Sequence, residues 1–221
     1  MTLLAPAPPE RRERIEPADK EQRLVLGAVD WATYQTISKA LTGRHVRLSY
    51  DRGRLEFMTI SSKHGILSRL INRLIAILTE EMNLPILSCG DMTCDNEQVL
   101  RGLEPDECFY LDNEPRVRGK EEIDLTIDPP PDLAIEIDIT SGSIPKFPIY
   151  AAFLVPEIWR YDGKQARIYH LMDQNYFEHN ASLSFSFLSA RAMTDFLEQS
   201  KTQGQTAALA AFRQWVRAAK A

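Results

Sequence analysis

The segment 129–140, PPPDLAIEIDIT, narrows the choice of fold more than any other stretch of the chain. By the two-residue side-chain period, Leu133, Ile135, Ile137 and Ile139 share one face, and Ala134, Glu136, Asp138 and Thr140 share the other. An isoleucine-rich run that follows a triple proline predicts a central strand rather than a solvated edge. Glu136 and Asp138 stand roughly 7 Å apart along such a strand, close enough to converge on one point. Two carboxylates so placed repel unless a cation, a proton or a basic side chain lies between them. The strand carries a charge requirement that some other part of the molecule must meet.

With 221 residues, the chain fits one domain with extensions better than two domains. Its 44% hydrophobic content can fill a core, and its 26% charged content is that of an ordinary soluble protein. No apolar run approaches the ~20 residues of a membrane span. The first residues place apolar side chains before basic ones, which is not the order of a secretory signal. Three cysteines, Cys89, Cys94 and Cys108, give no disulfide framework and predict a reducing, cytoplasmic setting. Their spacing, with no complementary Cys or His pair, argues against structural zinc. A net charge of -5 argues against tight non-specific nucleic-acid binding, so a nucleic-acid partner must use a local patch.

Residues 1–23, rich in proline and charge, read as a flexible tail. Asp30 is placed to cap a helix over 30–42. Residues 46–50 and 54–58 flank Asp51-Arg52-Gly53 and predict a hairpin. Ser61 or Ser62 caps a long helix to about Asn83, with Leu67, Leu70, Ile71, Leu74 and Leu78 at helical spacing and Pro85 beyond its end. Strands are predicted over 86–94 and within 99–111, with Pro105 near the start of the second. A turn at Ser141-Gly142-Ser143 leads to a short helix over 144–155, and then a hairpin turns around Gly163. Two helices end the chain. This order predicts an α/β (α+β) fold, a mixed β-sheet flanked by helices. Residues 24–190 form the main domain and 191–221 a C-terminal helical extension.

Five acidic and basic positions stand in a suggestive order: Glu56 on the first hairpin, Asp106 after Pro105, Glu136 with Asp138, and Lys146 at the start of the following helix. Pro105-Asp106, then Glu136-Ile137-Asp138, then a lysine resembles the PD-(D/E)XK nuclease superfamily. GLEPDECFYL, PPPDLAIEIDIT and KFPIYAAFLVPEIWRYDG, with the Glu56 hairpin and the helix from His64, resemble more closely the Uma-two family of restriction-endonuclease-like proteins. The resemblance covers roughly residues 30–190. It implies a restriction-endonuclease-like fold and a metal-dependent DNA endonuclease, with Mg²⁺ (or Mn²⁺) as cofactor, DNA as substrate and a homodimer by analogy. It implies Asp106 and Glu136 as metal ligands, the Ile137 carbonyl as a further one, and Glu56 as an early acid reaching the metal directly or through water. Asp138, a third candidate metal ligand, occupies the place where the superfamily has its lysine, and Lys146 on the helix stands in for it.

The chemistry is self-consistent. Mg²⁺ takes oxygen ligands and keeps several waters, so two or three carboxylates suffice. A rival reading is a catalytically inactive nuclease-fold protein that binds nucleic acid or a protein partner. The two are separated by whether Lys146 Nζ reaches the Asp106–Glu136 pair. A glycoside hydrolase would need two carboxylates opposed across a cleft roughly 5–9.5 Å apart, and acids gathered on one strand fit a shared cation better. Arg44, Arg47, Arg52 and Arg54 on the first hairpin read as a solvated charged surface that could also grip phosphates.

Overall fold

At Glu104-Pro105-Asp106 the chain leaves one β-sheet and enters another. The computed structural model describes residues 21–90, 92–139 and 144–220. The expected tail over residues 1–20, Thr140 and the predicted turn at 141–143 lie outside the described residues. In chain order the elements are β1 (Arg23–Leu26), α1 (Trp31–Leu41), β2 (Val46–Asp51), β3 (Arg54–Thr59) and α2 (Ser62–Met82). Then come β4 (Leu87–Ser88), β5 (Cys94–Asn96), β6 (Arg101–Leu103), β7 (Glu107–Tyr110), α3 (Glu114–Val117) and β8 (Leu133–Ile137). The chain continues through α4 (Phe147–Ala152), β9 (Glu157–Tyr161), β10 (Ala166–Met172), β11 (Asn175–His179), α5 (Ala190–Gln203) and α6 (Gln205–Ala219).

Among the described residues this is a mixed α/β architecture of two sheets and six helices. The first sheet runs β1-β3-β2-β6-β5 and is antiparallel throughout. The second runs β11-β10-β9-β8-β7-β4, with β8 and β9 parallel and its other neighbours antiparallel. The predicted single strand within 99–111 is two strands, one in each sheet. Pro105 offers no N–H to a ladder, so pairing stops there and the chain can change partners. The tail boundary also shifts. Arg23 begins β1, which lies along β3 with Arg23 opposite Met58 and Val25 opposite Glu56.

Local signals account for the helices. Ser61 Oγ accepts the His64 N–H at 3.2 Å and starts α2. Asn83, in the left-handed region at φ 54°, ends it two residues before Pro85. The apolar stripe of α2 packs on Leu133, Ile135 and Ile137 of β8 together with Leu209, Phe212 and Val216 of α6. The C-terminal helices therefore share the central core with β8. On the other face of β8, Ala134 packs with Ile149, Tyr150 and Ile158. Between β7 and β9, all five residues of β8 are buried, as a strand covered on both faces requires. Glu136 is the one charged side chain in that strand.

Candidate active site

Parallel pairing of β8 with β9 needs a crossover, and α4 is part of it. That crossover returns the chain over the Glu136 face of β8. Lys146 immediately precedes α4 rather than lying within its first turn, and its carbonyl accepts the N–H groups of Ile149 and Tyr150. Lys146 Nζ lies 2.5 Å from Glu136 Oε2. Four residues on, the Tyr150 hydroxyl donates to Glu136 Oε1. Lys146 and Tyr150 share one side of this turn by helical spacing, and together they hold both oxygens of the carboxylate.

Asp106 approaches from the junction between the sheets. Its Oδ2 accepts the Ile137 N–H at 2.7 Å, one residue beyond Glu136. Its Oδ1 lies 2.8 Å from His64 Nε2, an ion contact rather than an aligned hydrogen bond. The other ring nitrogen of His64 lies 2.8 Å from Glu21 Oε1. Glu107 turns the opposite way, as strand alternation expects, and accepts from Ser68 and Asn72 of α2.

Glu56, Asp106 and Glu136 are 1, 2 and 5% exposed, so each needs a charge partner, hydrogen bonds or a proton. Burial works against charge on Asp106, but His64, Lys146 and the Ile137 N–H outweigh it and hold its carboxyl below the usual range. Burial also opposes charge on His64, yet the contacts to Asp106 and Glu21 raise its pKa to about 9. For Glu136 burial dominates and raises the pKa, against the pull of Lys146 and with the added repulsion of Asp106. Burial opposes the Lys146 ammonium, which the charges of Glu136 and Asp106 nonetheless favour.

Glu56 is held by Arg23. Its Oε1 accepts from Arg23 Nη1 at 3.0 Å. The same guanidinium lies 3.7 Å from Glu21 and 3.9 Å from Asp138 Oδ1. Asp138 Oδ2 accepts from Arg160 Nη2. The structure thus brings Asp106, Glu136 and Lys146 into one group and gathers Glu56 and Asp138 around Arg23. A cleft of about 240 Å³ is lined by Arg23, Glu136, Asp138, Lys146, Phe147 and Arg160 among others, and Asp106 and Glu56 are not part of its lining.

Sequence reasoning left Glu21, Arg23, His64, Tyr150 and Arg160 out of the site. The four-residue step from Lys146 was a usable signal for Tyr150. Arg23 and Glu21 fall in the stretch that reads as a tail, and Arg160 enters through the register that sets it opposite Glu136.

The candidate metal donors here are carboxylate oxygens. Among the described residues, no three His, Cys, Asp or Glu side chains form a ready-made metal cage. Asp106 Oδ1, 2.8 Å from His64 Nε2, is nevertheless a buried oxygen with no aligned hydrogen bond. A hydrated Mg²⁺ or Mn²⁺ ion that takes one or two carboxylates fits such a place.

A family model named Uma2, described as "Putative restriction endonuclease", matches residues 31–197. The chain belongs to the Uma2 family. The match spans Asp106, Glu136 and Lys146 and begins after Glu21 and Arg23. Among solved structures, this Uma2 chain is similar to a "putative nuclease belonging to DUF820" from Anabaena variabilis ATCC 29413. The likeness is 16% identity over 68% of this chain and 90% of that one, with a TM-score of 0.43. No curated protein matches the chain. Among the described residues no helix is long and apolar enough to cross a membrane.

Proposed function

We propose that this Uma2 chain is a metal-dependent DNA endonuclease that hydrolyses phosphodiester bonds. The observation that carries the reading is the contact of Lys146 Nζ with Glu136 Oε2, beside Asp106 and on the lining of a cleft. A lysine supplied from the head of a helix meets the need created by Asp138 at the strand position. Asp106 and Glu136 are the residues that would hold Mg²⁺ or Mn²⁺. Bound there, the cation would supply Lewis-acid polarisation of a phosphoryl oxygen and neutralise its charge. The Ile137 N–H fixes Asp106, and the Tyr150 hydroxyl fixes Glu136. Lys146 lines the cleft, where its ammonium can offset charge that develops on the phosphate or orient an attacking water. Glu56 acts one layer back, by holding Arg23.

The expected outcome is nicking of supercoiled DNA in Mg²⁺ or Mn²⁺ that is lost in Glu136→Ala, with the circular dichroism of the fold retained. Absence of Mn²⁺ binding by calorimetry, together with absence of cleavage on supercoiled, linear and single-stranded DNA, would end the catalytic reading. Sedimentation equilibrium with and without DNA tests whether two copies act together.

A further inference from the structure

We propose that Arg160, oriented by Asp138, is the arm of the cleft that grips a substrate phosphate, and that Asp138 serves as its holder rather than as a metal ligand. This rests on the nuclease reading above and names how the backbone of the substrate is engaged. Asp138 follows β8 on the face that carries Glu136, and the β8–β9 register sets Arg160 directly opposite Glu136. Glu136, Asp138 and Arg160 therefore project from one face of the sheet toward the same cleft. Asp138 has one oxygen on Arg160 and the other 3.9 Å from Arg23. With Arg160 on one oxygen and Arg23 as an ion contact on the other, Asp138 is already placed to orient a guanidinium at the cleft.

The two arginines differ in what they can still do. The Arg23 side chain is 11% exposed and is engaged by Glu56 and Glu21 as well as Asp138, so it braces the carboxylate from behind. The Arg160 side chain is 38% exposed, and among the described residues Asp138 is its only polar partner. A guanidinium carries five N–H donors in a planar fork. With Asp138 holding one edge, the rest of the fork is pre-aimed into a cleft that also presents Lys146. That geometry suits the non-bridging oxygens of a phosphodiester, which Arg recognises two at a time. Such a contact fixes the position of the backbone without reading bases. It also supplies the local cationic patch that a chain of net charge -5 needs to hold a polyanion.

Metal and DNA affinity are measured separately on the full chain to test this. DNA binding is read by the anisotropy of a fluorescein-labelled duplex over a series of NaCl concentrations without divalent cation, and metal binding by calorimetry with Mn²⁺. Arg160→Gln is expected to weaken DNA binding roughly tenfold and to reduce the log–log salt slope by about one. Its Mn²⁺ affinity should match wild type. Arg160→Lys keeps the charge without the fork, so it should lose affinity while retaining the slope. Asp138→Asn should leave Mn²⁺ affinity unchanged and shrink the loss caused by Arg160→Gln in the double variant, a coupling that general loosening of the fold would not produce. Wild-type affinity and slope in Arg160→Gln would overturn the arm. Loss of Mn²⁺ binding in Asp138→Asn would return Asp138 to the ligand set and overturn the holder role. Failure of the wild-type chain to bind DNA at any salt concentration would instead bring down the nuclease reading itself.

Discussion

Burial raises the proton affinity of Glu136, and the ammonium of Lys146 works the other way. Neither group is comfortable alone in that place. Replacing Lys146 with Met removes the cation and leaves a buried carboxylate whose remaining described partner is the Tyr150 hydroxyl. Breaking a buried pair from one side costs about 3–5 kcal/mol, whereas removing both charges costs far less. Lys146→Met is therefore expected to lower stability steeply in urea denaturation, and Glu136→Gln added to it should recover much of the loss. If the two effects add to within about 0.5 kcal/mol, the pair is not coupled. At this scale the acids were legible as a motif: Asp106 after a proline, Glu136 on an apolar strand. Their immediate partners were less so. Tyr150 had only its spacing from Lys146 to announce it, and His64 had only its place at the head of a helix. Nothing in the neighbourhood of Glu21 or Arg23 marked either as part of a buried ion network.

The helices α1 and α2 were readable because their signals are local. Asp30 Oδ1 accepts the Thr33 N–H at 2.7 Å, Ser61 caps α2, and the Leu/Ile stripe of α2 faces the core. The residues of 99–111 suit a strand throughout, so local signals predict one element there. Its division at Pro105 depends on which sheet each half can join. Gly102 in β6 belongs to the same long-range logic, since a Cβ there would run into the Tyr34 ring of α1. The last two helices are expected from the sequence, but their role as a cover for α2 is not. Arg213 reaches Glu80 and Glu81 at 2.8 and 2.7 Å, and Arg217 reaches Glu81 at 2.9 Å. Hydrogen bonds from Arg217 and then Arg213 lower the Glu81 pKa from 4.5 to about 2. A carboxyl whose folded-state pKa is depressed contributes stability above its unfolded pKa and loses it as pH falls toward the folded value. The α2–α6 contact should weaken as pH drops from about 4.5 toward 2. The difference in melting temperature between wild type and Glu81→Gln should shrink across that window. A constant difference would show that the contact does not depend on the charge of Glu81.

Across the whole molecule, β1 ties the two sheets together through the charges of the site. Arg23 leaves the edge of the first sheet to meet Glu56 of its neighbour and Asp138 at the end of β8, while Glu21 meets His64 of α2. The family match begins at Trp31, beyond β1. Starting the chain at Gly27 is expected to cost about 3 kcal/mol or more, because it takes cationic and anionic partners from buried Glu56 and His64. A denaturation midpoint equal to that of the full chain would show that β1 is dispensable. Sequence alone determined the elements whose causes lie within a few residues: the capped helices, the hairpins, and a buried strand that carries Glu136, with Asp138 just beyond its end. It also carried enough ordered motif for the family. Tertiary structure decided what neutralises those acids. Arg23 and Glu56 are 33 positions apart, and Asp106 and the Ile137 N–H are 31. Side-chain periodicity reports which face a residue occupies. Which charge stands opposite it depends on strand register and on how two sheets meet, and those follow from the packing of the whole core.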